Sequence, residues 1–301
     1  MPVRRSQRFR RRPKRVIMKR SKSSRSKSHS SKSRSRPSKQ KEKHKDKPAK
    51  ARAIAPPVTA TTRAITSPPS PPAPKAPLSI SVIIPCAHED AHLLVNLINI
   101  LKQQTVLPKE VIVSLSGKRY LSSDKIRNID NLLNSGLPFV IKILYHNDGV
   151  WASGNKNYAA AVATGDILIV QDADDIPHFQ RLEIMKYYFD KYDIVHVTHS
   201  FNLRHSGSVI LANNYRSIPF NVRHHIAGIP FVYVTSRNVY KTAITNGEIG
   251  VLRSVWARYK WDESRRTGED TRFNRKVEEH YRKTICIQKE LIIYNRVPQH
   301  F

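Results

Sequence analysis

Four short runs of apolar and β-branched residues constrain this chain more than any other feature. SISVIIP (79–85), EVIVSL (110–115), FVIKILY (139–145) and DILIV (166–170) each have the length of a buried strand. The segments between them have helical spacing. Leu93, Leu94, Leu97, Ile98 and Leu101 share one face, opposite Asn96, Asn99, Lys102 and Gln103. Ser123–Leu133 predicts a second helix, and Asn155–Ala163 a third made of small residues. Phe179–Phe189 predicts a fourth, with a strand over Asp193–Thr198 after it. Apolar strands alternating with helices predict an α/β chain with a Rossmann-like, mostly parallel central sheet flanked by helices. Ligands of such sheets gather outside the carboxyl ends of the strands. After the first strand stands Pro85-Cys86-Ala87-His88-Glu89 rather than a Gly-rich turn, which argues against a nicotinamide-type dinucleotide site and a P-loop.

Charge divides the chain in two. Of its 53 Lys/Arg, 25 fall within residues 1–77, against only Glu42 and Asp46. That segment also has no glycine and a single aromatic, Phe9, too little apolar surface to offset the entropy of ordering. The expectation is a disordered basic tail with a Pro-rich linker over 1–77, followed by one globular domain over 78–301. Residues 1–52 suit contact with a polyanion such as nucleic acid, by counterion release, or act as a solubilising tail without a specific partner. Their serines suit phosphorylation, and their charge suits nuclear import. No stretch reaches the ~18–20 apolar residues of a membrane span. Val16-Ile17-Met18 is too short for a signal-peptide core, so the expected location is intracellular and cytoplasmic, not secreted. Cys86 and Cys286 read as free buried thiols.

The fourth strand runs directly into Gln171-Asp172-Ala173-Asp174-Asp175. In an extended chain Asp172 and Asp174 project to one side, roughly 6.5–7 Å apart. Such carboxylates repel unless one is protonated or a cation sits among them. Oxygen-only ligands suit Mg²⁺ or Mn²⁺, which share their coordination with substrate phosphates. The alternative is a turn whose aspartates cap the next helix, with Pro177 at its start. Glu269 and Asp270 likewise read either as a reactive pair or as acids favoured at the start of the helix carrying Phe273 and Val277. His196 and His199 read as structural or surface residues. His224 and His225 lie in an irregular stretch, 213–228, that is either a substrate-facing loop or a connection. Trp256 and Trp261 read equally as core or as platforms for a ligand's ring face.

Taken in order, these segments resemble family 2 glycosyltransferases of the GT-A fold. The first strand ends in Pro85, then come Glu89, a Leu-rich helix, and Gln104-Thr105 before the second strand. GVWASGNKNYAAAVATGDILIVQDADD (149–175) is similar to that family's Gly, Ala-Arg-Asn, small-residue helix, Gly-Asp, apolar strand and Asp-x-Asp-Asp series, with Asn155-Lys156-Asn157 in place of Ala-Arg-Asn. Trp261-Asp262-Glu263 and Gly268-Glu269-Asp270 resemble its acceptor-side Glu-Asp motif. One departure is that Ser114-Leu115-Ser116-Gly117 stands where the family has an Asp-Asp-Gly-Ser-like turn that reads the nucleobase.

The resemblance implies a metal-dependent, inverting transferase that moves a sugar from a nucleotide-sugar donor to a glycan or protein hydroxyl. Mn²⁺ or Mg²⁺ would be held by Asp174, with Asp172 near the ribose and metal. Pro85, Glu89, Lys156 and Asn157 would lie by the donor nucleotide. Asp270, or Glu269 beside it, would be the base, and a late histidine such as His300 is a further metal ligand in some GT-A enzymes. A basic Ser/Arg arm on such a domain is similar to an arrangement in large DNA viruses, which would add nucleus or virion as locations. Two rivals stand beside this reading. One is a non-catalytic polyanion- or nucleic-acid-binding protein on a degenerate transferase fold. The other is glycoside hydrolysis, which also uses two carboxylates but needs no metal-binding Asp-x-Asp.

Overall fold

A computed structural model describes residues 76–204, 209–234 and 249–295. The basic tail through residue 75 and His300 lie outside the described residues. β1 (Ile80–Ala87) leads through a short 3₁₀ turn into α1 (Leu94–Leu101), then β2 (Glu110–Ser116), α2 (Ser123–Asp130) and β3 (Val140–His146). α3 (Ala152–Ala161), β4 (Ile167–Val170), the two-residue β5 (Ile176–Pro177), α4 (Arg181–Tyr192) and β6 (His196–Arg204) follow. The C-terminal part adds β7 (Phe231–Tyr233), β8 (Gly250–Leu252), α5 (Arg253–Tyr259), α6 (Glu269–His280) and β9 (Thr284–Asn295). Among the described residues no helix is long and apolar enough to cross a membrane.

The sheet runs in the order β3-β2-β1-β4-β8-β6-β9-β5, with β7 paired to β9. β1 to β4 are parallel, as the strand–helix alternation predicts. Beyond β4 the sheet is mixed rather than mostly parallel: β8 is antiparallel to β4 and β6, and β5 and β7 are antiparallel to β9. β8 is too short to carry a periodic signal, and only its place between β4 and β6 makes it a strand. The chain leaves β1 toward β2 and β3, then returns to its other side as β4. That reversal puts a crevice at the carboxyl ends of β1 and β4.

Alternation along the strands supplies the two faces of the core. Val82, Ile84, Val111, Val113, Ile167 and Ile169 pack under α1 and α4. Ile83, Ile112, Leu168 and Val170 pack on the other side with Ala159 and Ala160 of α3, Trp256 of α5, and Phe273 and Val277 of α6. α3 approaches the sheet closely because its inner residues are small. The turn after it is tighter still, since a Cβ on Gly165 would lie 2.6 Å from the backbone nitrogen of Ser81.

Glu110 ties this half of the sheet together from inside, with 2 % of its surface exposed. It accepts from Ser81 Oγ (2.7 Å), Thr164 N (2.6 Å), Thr164 Oγ1 (2.8 Å) and Lys142 Nζ (2.7 Å), linking β1, β2, β3 and the turn into β4. Burial opposes its ionisation, but the bonds from Lys142, Thr164 and Ser81 outweigh it and hold the carboxyl down at about 2, against an ordinary 4.5. A group whose folded value is depressed contributes stability above its unfolded value and loses it as pH falls. Equilibrium unfolding should therefore show stability declining from pH 4.5 toward 2. Glu110→Gln should flatten that decline and lower stability at neutral pH by about 1–3 kcal/mol, the cost of leaving buried donors poorly matched.

Candidate active site

The crevice at the β1–β4 reversal is a cavity of about 290 Å³ lined by Pro85, Ala87, Asp90, Asn155, Asp172 and Asp174, among others. A larger cavity of about 810 Å³ lies elsewhere, between Ser200 and Asn202 of β6, Phe220–His224, and Gln288–Glu290 of β9. It lacks the aspartate cluster, so volume alone does not locate the chemistry.

Asp172, Asp174 and Asp175 bring carboxylate oxygens within 4.8 Å of one another. They do not cap α4, whose N-cap is Gln180 and which begins four residues beyond Pro177. The turn is instead held from within. Gln171 Nε2 donates to the carbonyls of Asp172 (3.0 Å) and Asp175 (3.1 Å), and Gln171 Oε1 accepts from Arg181 Nη1 at 3.3 Å. Arg181, fully buried, also donates to Val170 O (3.0 Å) and to His199 Nε2 (3.0 Å). His199 is a neutral acceptor there, its pKa driven well below the usual value by burial and by Arg181. Sequence reasoning missed Gln171 and Arg181, and left His199 as merely structural. An arginine at the first position of a helix carries no sequence signal that it faces inward.

Burial, then Asp174 and the acids of α6, push Asp172 up to about 8 against the downward pull of Lys156. Burial and then Asp90 push Asp174 up to about 6. Three crowded carboxylates, of which Asp172 and Asp174 resist ionisation, are the donor set that a hard divalent cation satisfies.

The second carboxylate pair stands at the start of α6. Glu269 and Asp270 are each 5 % exposed, and both accept from Lys156 Nζ, at 3.1 and 2.5 Å. Burial alone would discharge the amine, but Asp270, Glu269 and Asp172, in that order, hold it charged. Asp270 also accepts from Trp261 Nε1 at 3.0 Å, and burial raises its carboxyl despite Lys156.

The remaining expected donor residues are divided. Pro85 lines the cavity. The Glu89 carboxylate is mostly exposed and lies 3.0 Å from His88 Nδ1, while its neighbour Asp90 lines the cavity. Lys156 reaches the α6 acids. Asn157 donates to Trp261 O (2.9 Å) and Glu263 Oε1 (2.7 Å), and accepts from Trp256 Nε1 and Trp261 N (both 3.1 Å). From this tripeptide it is Asn155 that lines the cavity; it accepts from Ser114 Oγ (3.0 Å) and donates to Ser116 Oγ (3.2 Å). Trp256 and Trp261 are core residues, 7 % and 2 % exposed, and Trp261 stacks on Phe273 at 4.6 Å. His196 is buried and bonded to Asn274.

Breaking a buried ion pair strands the remaining charges. Lys156→Met should destabilise the fold by about 3–5 kcal/mol in urea unfolding, and adding Glu269→Gln and Asp270→Asn should recover part of that loss.

The family model described as "Glycosyl transferase family 2" matches residues 81–245. No curated protein sequence matches the chain. Among solved structures, S. aureus TarS 1-349 in complex with UDP is 18 % identical at a TM-score of 0.54, covering 73 % of this chain and 61 % of that one. The same protein in complex with UDP-GlcNAc is 18 % identical at 0.55, covering 73 % and 59 %. The mannosyltransferase PcManGT from Pyrobaculum calidifontis, in complex with GDP-Man and Mn²⁺, is 14 % identical at 0.50, covering 76 % and 60 %. At these identities the likeness shows a common GT-A fold, and the chain spans about 60 % of the length of these three structures.

Proposed function

The chain belongs to glycosyl transferase family 2, and from that premise we propose that it transfers a sugar from a nucleotide-sugar donor to an acceptor hydroxyl, using a divalent cation and inverting the anomeric centre. One observation carries the reading. Lys156, a buried ammonium bonded to Glu269 and Asp270, is also held charged by Asp172, and so links the acids of α6 to a carboxylate cluster nearly a hundred residues earlier in the chain.

Asp172, Asp174 and Asp175 are the residues that would hold Mn²⁺ or Mg²⁺. When bound, the cation neutralises the departing diphosphate. The cavity along Pro85, Ala87, Asp90 and Asn155 receives the nucleoside. Ser114, Ser116 and Asn155 stand where the family's nucleobase-reading carboxylate is missing, so base contact rests on hydroxyl, amide and backbone groups. Asp270 takes the proton from the acceptor hydroxyl. Its carboxyl, raised by burial yet paired with Lys156, sits nearer to neutrality than an exposed aspartate, which suits a general base. Trp261 Nε1 fixes the orientation of the same carboxylate. Glu269 shares the ammonium and positions it. The charge of residues 1–52 suits contact with a polyanion.

Cation binding must displace protons from Asp172 and Asp174. Affinity for Mn²⁺ with a nucleoside diphosphate should therefore rise between pH 6 and 8, with proton release visible by calorimetry in buffers of different ionisation enthalpy. Asp174→Asn should abolish the Mn²⁺-dependent part of that binding, and equal affinity in the variant would remove Asp174 from the metal site.

Steady-state kinetics separate the two α6 acids. Asp270→Asn should lower kcat by at least ~10²-fold with donor KM little changed. Glu269→Gln should cost less. A dead Glu269→Gln beside an active Asp270→Asn would exchange their roles.

A further inference from the structure

One side of α3 runs along the loop that carries the α6 acids, in register. Trp151, the N-cap of α3, lies under the Arg266 guanidinium, 4.8 Å from its ring centroid. One turn on, a Cβ at Gly154 would lie 3.9 Å from Glu263 Oε2, and a further turn on Asn157 bonds Trp261 and Glu263. Positions 151, 154 and 157 recur every three residues, so each lies beside the next on the helix surface. Val150 and Ala152, on either side of Trp151, line the donor cavity together with Asp172 and Asp174. Trp151 therefore stands at the seam between the donor cavity and the segment leading to Asp270.

Two properties of this seam stand out. Trp151 is 51 % exposed, whereas the chain's other tryptophans, Trp256 and Trp261, are 7 % and 2 % exposed. The flanking segment is also strongly basic: residues 258–276 hold seven Lys/Arg against four acids. Glu269 and Asp270 are buried on Lys156, Asp262 pairs with Arg272 at 2.9 Å, and Glu263 is bonded to Asn157. Arg258, Lys260, Arg265 and Arg266 are exposed, and Arg266 lies over Trp151. An aromatic face next to guanidinium groups suits a ligand with an apolar ring face and negative charge.

Resting on the transferase reading above, we propose that this seam receives an acidic saccharide as the acceptor. Trp151 takes the face of a sugar ring, and Arg265 and Arg266 take its carboxylate or phosphate groups. The positive surface attracts such an acceptor toward the crevice and disfavours neutral glycans of the same size.

Tryptophan fluorescence of the full chain tests this locally, because residues 1–77 contain no tryptophan. The titrants are oligogalacturonate, a phosphorylated oligosaccharide, and neutral maltohexaose. At least one acidic titrant should shift the emission at a half-saturating concentration at least tenfold below maltohexaose, and the stronger of the two identifies the charged group. In Arg265→Glu/Arg266→Glu, which keeps the basic tail, that concentration should rise at least tenfold. Should this variant misfold, the wild type still decides: acidic binding should weaken at least tenfold between about 50 and 500 mM NaCl, and neutral binding should not. Equal response to acidic and neutral titrants, or unchanged binding in a folded variant, would overturn the proposal. Calorimetry with Mn²⁺ and either UDP or GDP separates the two readings. Binding of neither nucleotide would count against the transferase itself, whereas nucleotide binding without a charge preference would sink only the acidic acceptor.

Discussion

A lysine side chain with none of its surface exposed is the interaction on which the site depends. Lys156 leaves α3, a helix kept close to the sheet by its small residues, and meets both acids at the start of α6. Desolvating an ammonium costs several kcal/mol, and a neutral partner would not repay that. Two carboxylates on the ammonium, with Asp172 near by, do repay it. The same arrangement fixes where α6 begins, keeps Asp270 beside Trp261, and couples the α6 acids to Asp172 beyond β4. In the proposed reaction, one buried cation thus holds the base in place from the side of the donor.

The end of β4 is organised by a second buried cation. Arg181 reaches back from α4 to Val170 O and Gln171, and Gln171 wraps the carbonyls of the aspartate turn. Three acids would otherwise spread apart in water. A rigid backbone beneath them keeps their oxygens within 4.8 Å and makes the cluster hold its shape before any ligand arrives. The segment beyond β5 is pinned just as firmly. Tyr215 donates to Pro177 O (2.6 Å), His178 is bonded to Val222 O (3.0 Å), and Gln180 exchanges two bonds with the His224 backbone. Burial pushes His178 down to about 4, so it stays a neutral bridge. The irregular stretch that includes His224 and His225 is therefore fastened to the strand following the aspartates.

Much of this was legible in residue order. β1, β2 and β4 appear as apolar runs because both faces of each strand are covered, β3 appears as one although it is a half-exposed edge strand, and α1 and α6 appear through their apolar stripes. The Asp-x-Asp at a strand end and the Glu-Asp after Gly268 were legible for the same reason: local spacing alone puts them at element boundaries. β8 and α5 were not, because three strand residues and two turns of helix fall below the length at which periodicity is visible. The split within Asn155-Lys156-Asn157 was equally hidden. Successive helical residues point about 100° apart, so one faces the cavity, one the α6 acids and one the Trp261 loop.

The sequence by itself determined the α/β alternation, the strand ends at which acids collect, and the division of charge between a basic first quarter and a nearly balanced remainder. These follow from periodicity and composition, which are local. Only the tertiary structure decided that Lys156 joins Glu269 and Asp270, that Asp90 rather than Glu89 lines the cavity, and that Trp151 is the tryptophan left open beside it. Those outcomes depend on which faces meet after the chain has reversed about β1 and β8 has entered beside β4. A contact across more than a hundred residues costs loop entropy and desolvation, and only the assembled packing can offset both.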